Sequence, residues 1–389
     1  MSTISEADVR TRIERLMESD LSDRTGFLGA QYDLGLAWIH FPEGSGGLGA
    51  GRGFQRLVHD AVVAVDAPQP RYEIGYGMAA PTIAEVGTDD QKTRWLRPLF
   101  TGEEVWCQLF SEPGAGSDVA GLSCRAVQDG DEWVVNGQKV WTSNAHMARW
   151  GLLVTRTDPD APKHRGMTYF GIDLHQPGVE IRPLRQMTGQ AEFNEIYLTD
   201  AKVSEADRMG DVGDGWRVAL TTLMNERVAI GGDTRDAGKT AMDWILEAWN
   251  DHGHDDPARR DEMMKLWVRS EVLRLNNLRA EETRTTGTPG PEGSIGKVIS
   301  AELNKDAFAF ALGLTGMAGT LFDGGYDLDQ TRPVLDYDTL AEYFLRVRAN
   351  SIEGGTTEVM RNILGERVLG LPGDVRVDKD VAWKDVVRN

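Results

Sequence analysis

A chain of 389 residues with a formal net charge of −19 is a poor candidate for binding nucleic acid, because such binding needs a basic surface. Its hydrophobic residues, 40% of the total, are enough for a large core, and no run of about 18 apolar residues predicts a membrane span. The two cysteines, Cys107 and Cys124, are too few for a disulfide framework and lack the spacing of metal ligands. The first 30 residues contain no apolar targeting segment, so we expect a cytoplasmic protein.

The first part of the chain, residues 1–104, shows the apolar period of helices and forms a predicted N-terminal helical domain. Thr88 or Asp89 is the predicted N-cap of a helix that continues through Phe100. Other predicted helical segments in this part are Ser5–Met17, Phe54–Val65 and Pro81–Val86.

Between residues 105 and 212 the apolar period changes to two, which predicts a middle domain built from β-strands. The dipeptide Asn136-Gly137 lies between two apolar runs and predicts a tight hairpin turn there. Several short strands at this spacing indicate a barrel or a sandwich. The predicted strands are Cys124–Val127, Trp133–Val135, Lys139–Thr142, Trp150–Arg156, Thr168–Ile172 and Phe193–Leu198.

Residues 213–389 return to the helical period and predict a C-terminal helical bundle. The charged tail, Val375–Asn389, is expected to be mobile or to pack on a partner. The predicted helices are Gly215–Ala229, Asp236–Trp249, Arg259–Arg284, Ser294–Leu314, Leu335–Asn350 and Thr357–Val368.

Two short segments combine glycines, hydroxyls and an aromatic ring. The first, Ser111–Asp118, reads SEPGAGSD, and its glycines let backbone N–H groups approach a ligand closely. By itself it could be a surface turn, and it matches neither G-x-G-x-x-G nor the P-loop. The second, Gly137–Asn144, reads GQKVWTSN and places Trp141 before two hydroxyls, although a tryptophan in a strand most often packs in a core.

Taken together, the two segments resemble the S/T-E-P-x-A-G-S-D and G-x-K-x-W-I-T/S-N motifs of the acyl-CoA dehydrogenase family. A third segment, Gly355–Asn362, resembles the family's G-T-S/T-x-x-x-R-N motif. The resemblance covers about Leu34 to Leu371. It implies a mixed α and β fold with an N-terminal helical domain, a middle β-barrel and a C-terminal four-helix bundle, in the same order as the three segments above.

The resemblance also implies a reaction. An acyl-CoA thioester is oxidised to the trans-2-enoyl-CoA, with the α proton taken by a Glu and a hydride transferred to N5 of FAD, and an electron-transfer flavoprotein is the expected acceptor. Such a base works best when burial raises its pKa toward neutral pH. The residues that match family positions near the cofactor are Ser111, Gly116, Ser117, Trp141, Ser143, Thr356 and Glu358, and the Ser117 position also lies near the thioester.

The position of the catalytic base departs from the commonest family pattern. Many members carry the base directly before the Gly-Thr of the C-terminal motif, where this chain has Gly354, preceded by Glu353. Isovaleryl-type and long-chain-type members instead carry a Glu-Arg pair at the start of the bundle, and this chain has Glu226-Arg227 there. Glu226 is therefore the predicted base and Glu353 the alternative. The resemblance further implies that the backbone N–H of Gly354 binds the thioester oxygen, and that Arg227 orients the helix or contacts the substrate.

The motifs for the adenine end of FAD match less well. The family's R-x-x-F-G is missing from Asp251–Met264, and Gly313–Gly319 keeps glycines but lacks the glutamine of Q-x-x-G-G-x-G. Either FAD is held differently, or a partner chain supplies groups in a homo- or hetero-oligomer, as in heteromeric actinobacterial members.

Two other functions stay open at this point. One is a non-catalytic or cofactor-sharing subunit of a heteromeric dehydrogenase, and the other is an oxygen-using acyl-CoA oxidase or flavin monooxygenase of the same fold. A branched or bulky acyl group, steroid-derived ones included, is the expected substrate. His252 and His254 flank a glycine in an acidic loop, but no third ligand has a suitable spacing, so no metal site is predicted.

Overall fold

The computed structural model describes residues 4–230, 239–252, 255–286, 293–321, 337 and 339–387, with the backbone alone at 227–230 and 281–286. It divides into two compact units. The first contains Met1–Arg182, Phe193–Glu226 and Arg376–Asn389, and the second contains Pro183–Glu192 and Arg227–Val375. No helix within the described ranges has the length and apolar character needed to cross a membrane.

The helices that open the first unit begin at strong capping signals. Ser5 and Asp8 form a capping box at the first helix, and Thr88 and Gln91 form another at the fifth. Of the two N-cap residues that the sequence allowed for the fifth helix, Thr88 is the one observed. The helices are α1 (Glu6–Leu16), α2 (Arg24–Asp33), α3 (Gln55–Ala64), α4 (Ala80–Val86) and α5 (Asp89–Thr101).

An eight-stranded sheet follows, with strand order β6-β7-β3-β2-β4-β5-β8 and with β1 parallel to β4 at the side. This confirms that the middle segment is built from strands. Their bounds are β1 (Trp106–Leu109), β2 (Arg125–Asp129), β3 (Glu132–Ser143), β4 (Trp150–Arg156), β5 (Met167–Asp173), β6 (Val179–Leu184), β7 (Phe193–Ser204) and β8 (Arg208–Met209).

The hairpin predicted at Asn136-Gly137 is wrong. Strand β3 continues through both residues, and the chain instead reverses at Gly130, whose φ is 64°. Gly137 is required for a different reason, because a Cβ there would lie 2.7 Å from the Cα, Cβ and Sγ of Cys124. The side chain of Asn136 bonds across the sheet to Asp200, accepting from its N–H at 3.0 Å. The glycine of the Asn-Gly pair is therefore needed for the close approach of Gly137 to Cys124, and not for a turn.

The second unit is helical, as predicted, and its described core includes Ile245, Leu266, Leu303 and Ala307. The helices from the start of the C-terminal segment onward are α6 (Gly215–Ile230), α7 (Ala241–His252), α8 (Pro257–Thr286), α9 (Gly293–Leu314), α10 (Leu340–Arg346) and α11 (Thr357–Ile363). The predicted starts of two helices, at Asp236 and Leu335, lie outside the described residues.

The charged C-terminal tail packs on the chain's own first unit, where the sequence left mobility or a partner as the expectation. Trp383 donates its indole N–H to the Gly121 carbonyl at 3.3 Å, and the Arg156 guanidinium lies 4.8 Å from the ring centre. Lys163 pairs with Asp118 at 2.9 Å and with Asp378 of the tail at 2.7 Å. The tail thus supports the turn that ends the SEPGAGSD segment.

Candidate active site

The two glycine- and hydroxyl-bearing segments are hydrogen-bonded to each other in the first unit. The backbone N–H of Val140 donates to the carbonyl of Ser111 at 2.9 Å. Glu112 and Ala115 close the first segment into a turn by exchanging two backbone hydrogen bonds of 3.0 Å. Residues about 30 positions apart in sequence are therefore neighbours in the fold.

A buried ion pair fixes this junction. Lys139 is 0% exposed, and its ammonium lies 2.8 Å from a carboxylate oxygen of Glu112 and donates to the Phe110 carbonyl at 3.1 Å. The same carboxylate accepts from the backbone N–H groups of Ser123 at 2.7 Å and Cys124 at 2.9 Å. Such a pair is tolerated inside a protein only when additional hydrogen bonds satisfy the charges, as they do here.

The environment of Glu112 favours its ionised form. Burial alone would raise the pKa of this carboxyl, but the Lys139 ammonium and the N–H donors of Ser123 and Cys124 hold the pKa below its ordinary value. Glu112 is therefore ionised at neutral pH. The pair lies between Ser111 on one side and Trp141 on the other.

Trp141 has an unusual backbone and an unusual exposure for a strand tryptophan. Its φ is 59°, in the left-handed region that a bulky residue rarely enters, and the register of β3 against β7 shifts between Lys139 and Thr142. The indole is 60% exposed and meets Phe193 edge-on, with ring centres 6.0 Å apart. Strain of this kind persists only where the surrounding structure enforces it, and it is typical of binding sites.

The groups around this indole fit a flat, polar cofactor ring. At Gly114 and Gly116, no protein atom lies within 4 Å of the place that a Cβ would take, so their backbone is open to an incoming ligand. Thr142 Oγ1 and Asn144 Oδ1 are buried without a hydrogen-bond partner, which is uncommon for polar atoms. Ser111 and Ser143 are half-buried, and Ser117 is exposed. A ring laid on the indole would meet hydroxyl and N–H donors at its edge.

The predicted base, Glu226, lies on α6 of the same unit. It is half-buried, and the amide of Gln108 on β1 donates to its carboxylate at 3.4 Å. One helical turn earlier, Thr222 is fully buried and is hydrogen-bonded to Tyr169 and to Thr82, both at 2.9 Å. These two bonds fix the rotation of α6 relative to β5 and α4. The side chain of Arg227 lies outside the part of the chain that the structure describes.

The alternative base, Glu353, lies in the second unit and is strongly engaged. Arg346 donates to its two carboxylate oxygens at 2.8 and 3.2 Å, and the Asn350 amide donates at 2.7 Å. Both oxygens of this carboxylate are engaged within the bundle, an arrangement that suits a structural role better than proton abstraction. Asn350 also bonds to Asn304 at 3.2 Å, so the glutamate belongs to a polar network of the bundle.

The other predicted residues of the second unit form a turn that leads into α11. Gly354 and Gly355 have φ values of 62° and 93°, which favour glycine. The Thr356 hydroxyl caps α11 by accepting from Val359 N–H at 3.2 Å, and Glu358 is exposed in the first turn. The structure thus brings together Glu353, Gly354, Thr356 and Glu358 here, and Ser111, Gly116, Ser117, Trp141, Ser143 and Glu226 in the first unit.

Sequence reasoning missed four residues that position the first group: Gln108, Glu112, Lys139 and Thr222. Glu112 and Lys139 are in the quoted motifs, and their opposite charges were a usable signal. Gln108 is a polar residue in the apolar run Val105–Phe110, which was also visible. Nothing in the sequence marks Thr222. Of the two loop histidines, His254 lies outside the described residues, and the described part contains no cluster of three potential metal ligands.

Comparison with known proteins identifies the family. Three family descriptions match consecutive parts of the chain: acyl-CoA dehydrogenase N-terminal domain over residues 3–103, middle domain over 107–201 and C-terminal domain over 213–369. IpdE1 of Mycobacterium tuberculosis is 35% identical over 343 residues, covering 88% of this chain and 86% of its own length. The chain belongs to the acyl-CoA dehydrogenase family. FAD is the cofactor of this family of oxidoreductases, and the site described above fits it.

Other relatives extend the comparison. FadE34 of Mycobacterium tuberculosis is 41% identical over 341 residues, which is 87% of this chain but 45% of that protein, so the chain spans less than half of FadE34. The solved ChsE4-ChsE5 complex from Mycobacterium tuberculosis contains a chain with 27% identity and a TM-score of 0.69, covering 95% of this chain and 97% of that one. The Tcur3481-Tcur3483 steroid ACAD shares the fold, with 24% identity and a TM-score of 0.72 over 96% of this chain and 100% of that one.

These matches confirm the predicted family and fold class. The domain bounds at 1–104, 105–212 and 213–389 stay predictions, as do the roles of the individual site residues.

The Glu112–Lys139 pair gives the first testable prediction. Glu112→Gln leaves the Lys139 ammonium buried without its counter-charge, and we expect the free energy of unfolding to fall by roughly 3–5 kcal/mol. Adding Lys139→Met removes that uncompensated charge, so the double variant should lose less than Glu112→Gln alone. Urea denaturation measures the free energy of unfolding of the wild-type protein, of Glu112→Gln and of the double variant. The control is Glu6→Gln, which breaks an exposed ion pair with Arg10.

The pH dependence of the same pair follows from the lowered pKa of Glu112. Its stabilising contribution is present above the ordinary carboxyl pKa and is lost as the pH falls through the lower folded-state value, so Glu112→Gln should remove part of the acid sensitivity. Additive losses in the double variant would contradict the coupling of the two charges.

Proposed function

We propose that this protein is an FAD-dependent acyl-CoA dehydrogenase that converts an acyl-CoA thioester into the trans-2-enoyl-CoA, with Glu226 as the base. The observation that carries this assignment is the position of the two glutamates: Glu226 lies half-buried on α6 in the unit that also holds Ser111 and Trp141, whereas both oxygens of Glu353 are held by Arg346 in the other unit. FAD, when bound, supplies the hydride acceptor. Glu226 takes the α proton onto a carboxylate oxygen as the β hydrogen leaves with its electron pair, so the carbon–carbon double bond forms without residual charge.

The remaining residues hold and orient the reactants in this proposal. The Trp141 indole offers a face for the flavin ring, and hydroxyl and N–H donors stabilise negative charge on its polar edge. Ser117 and Arg227 contact the thioester substrate, and the backbone N–H of Gly354 polarises its carbonyl. The residues proposed to hold FAD are Ser111, Gly116, Ser117, Trp141, Ser143, Thr356 and Glu358. An electron-transfer flavoprotein is the proposed acceptor.

Exchange of each glutamate for glutamine tests the base. Glu226→Gln should lower turnover by about 10²–10⁴-fold while the protein keeps its yellow flavin absorbance, because an amide cannot accept the proton. Glu353→Gln should mainly lower the melting temperature, because the buried Arg346 loses one of the two carboxylates paired with it and keeps Glu192 at 3.9 Å. Stopped-flow bleaching of the flavin by acyl-CoA measures the chemical step in both variants. The assignment is wrong if Glu353→Gln alone abolishes bleaching and Glu226→Gln does not.

The substrate proposal is a branched or bulky acyl-CoA, steroid-derived groups included. Its support is the Glu226-Arg227 pair at the start of the bundle, where isovaleryl-type members carry their base. A panel of straight C4–C16 thioesters, isobutyryl-CoA, isovaleryl-CoA and a steroid side-chain thioester should show the highest kcat/KM for a branched or bulky member. Preference for a straight medium chain over all of these would contradict the proposal. Peroxide release with oxygen as the acceptor would identify an oxidase instead.

The second unit also carries a candidate interface between two copies of the chain. On α8, Met264, Trp267, Val268, Val272 and Leu275 are 44–56% exposed and recur at helical spacing. Val268 and Val272 continue into a groove against α9 that Arg269 and Glu302 also line. Both charges are already paired within the chain, Arg269 with Asp306 at 2.7 Å and Glu302 with Lys305 at 3.0 Å, so they border the apolar groove without a charge to satisfy, and a twofold axis can bring two such faces together. We propose that this face joins two identical protomers.

Light scattering during gel filtration tests the interface. The wild-type protein should have at least twice the 42.9 kDa mass of one chain, and Trp267→Glu combined with Val272→Glu should reduce it to a single chain. Val127→Glu, at an exposed valine of β2, is the matched control and should leave the mass unchanged. A monomeric wild-type protein would overturn this proposal. Assembly only with a co-expressed relative would favour the heteromeric alternative.

A further inference from the structure

The C-terminal tail has little regular structure of its own and takes its position from the first unit. Among its described residues, helical structure is limited to the 3₁₀ turn Trp383–Asp385. The backbone N–H groups of Trp383 and Lys384 donate to the carbonyls of Ala161 and Pro159, at 2.9 and 3.0 Å, in the loop between β4 and β5. Because these bonds join backbone groups, they hold the tail in one register along the loop.

The tail also contacts the turn Asp118–Gly121, which comes directly after Ser117. The backbone N–H of Gly121 donates to the Asp118 carbonyl at 2.9 Å and closes this turn. The Trp383 indole N–H donates to the Gly121 carbonyl at 3.3 Å. The guanidinium of Arg156, 4.8 Å from the centre of that indole, donates to the Ala120 carbonyl at 2.6 Å. The indole and the cation beside it therefore bond to neighbouring carbonyls of one turn.

Lys163 joins the tail to the first residue of this turn. Its side chain is 14% exposed, and its ammonium lies 2.9 Å from a carboxylate oxygen of Asp118 and 2.7 Å from one of Asp378 in the tail. Two carboxylates that share an ammonium are close enough to repel each other once it is removed. Lys163 therefore attracts the tail and the turn to the same point.

The residues just before this turn need support of this kind. Residues 116–118 are exposed, between the buried Ala115 and Ala120. At Gly116 no protein atom lies within 4 Å of the place that a Cβ would take. Glycine loses more conformational freedom on ordering than any other residue, so its conformation depends on what holds the segment at each side. The buried ion pair described above anchors the beginning of the SEPGAGSD segment, and the tail contacts its end.

We propose that the tail is a strap that keeps residues 116–118 in the conformation that holds FAD, and that Lys163 is the positioning residue between strap and turn. The proposal rests on the function assigned above, in which Gly116 and Ser117 hold the cofactor. A segment that is ordered before binding spares the ligand the entropic cost of ordering it. When the strap is weakened, the segment occupies its binding conformation for a smaller fraction of the time, and the apparent affinity falls by that fraction.

Hydrogen exchange of the full-length protein tests the strap itself. Asp378→Asn combined with Trp383→Ala removes two side-chain anchors of the tail and leaves the chain complete. The peptide that covers residues 112–123 should then exchange about tenfold faster than in the wild-type protein, because the turn opens more often. Lys163→Met should act in the same direction. A peptide from α1 should exchange at the wild-type rate in both variants.

Retention of the cofactor separates this role from a merely structural one. FAD that is released on serial dilution of the holoenzyme, measured by its fluorescence, should give an apparent Kd about tenfold above wild type in the double variant. Because bound FAD restores the conformation of the segment, kcat at saturating FAD should stay within about twofold of wild type. The substrate is the thioester that the wild-type protein oxidises fastest in the panel above.

Lys202→Met is the matched control for Lys163→Met. The Lys202 ammonium also lies between two carboxylates, 3.7 Å from Asp129 and 3.8 Å from Glu132. Its loss should change neither the exchange of residues 112–123 nor the Kd for FAD.

Two results would overturn the proposal. One is unchanged exchange of residues 112–123 in the double variant. The other is a lower melting temperature with an unchanged Kd for FAD, since the tail would then contribute to stability alone. Failure of the proposed function has a different signature, in which the wild-type protein binds FAD but oxidises no thioester of the panel. The exchange and release measurements decide on the strap in that case as well.

Discussion

The buried contact between Glu112 and Lys139 is the constraint on which the rest of the candidate site depends. It joins a turn to a strand that is about 27 residues further along the chain, and it does so with one residue of each recognisable motif. Two charges in a dry environment are costly unless every lone pair and proton is satisfied, so the carboxylate cannot move without leaving Ser123 and Cys124 unbonded. The pair therefore fixes Ser111 relative to Trp141 more rigidly than apolar packing alone could.

The rigidity of this junction accounts for the strain beside it. Lys139 is held inward by Glu112. Thr142, three residues later, is also held inward, and its carbonyl accepts from the Asn194 amide at 3.1 Å. A strand that alternates regularly cannot satisfy both anchors, so the register shifts and Trp141 takes a φ of 59°. The cost of order 1–3 kcal/mol is tolerated because it turns an indole outward beside Ser143. The exposure of the Trp141 indole is thus a consequence of the buried ion pair that Lys139 makes two residues earlier in the strand.

The sequence predicted the family and the order of helical and β segments, because local motifs and apolar period encode these directly. It failed at Asn136-Gly137, where a glycine needed for close approach to Cys124 looked like a turn. It also missed the contacts of Thr222 and Gln108, since their partners lie more than 50 positions away in sequence. The packing of the C-terminal tail could not be predicted for the same reason, because only the fold shows that Trp383 is hydrogen-bonded to Gly121.

The same distinction between local and distant information separates the two glutamates. In sequence, Glu353 lies beside the C-terminal motif, whereas Glu226 belongs to the Glu226-Arg227 pair that isovaleryl-type members carry at the start of the bundle, and this pair made Glu226 the predicted base. In the structure, Arg346 and Asn350 together make three hydrogen bonds to Glu353, which tie its carboxylate to the bundle. Glu226 instead lies half-buried on α6, in the unit that also carries Ser111 and Trp141. A base must offer a carboxylate oxygen to the substrate, and in the proposed function Glu226 does so, whereas both oxygens of Glu353 are taken up by Arg346.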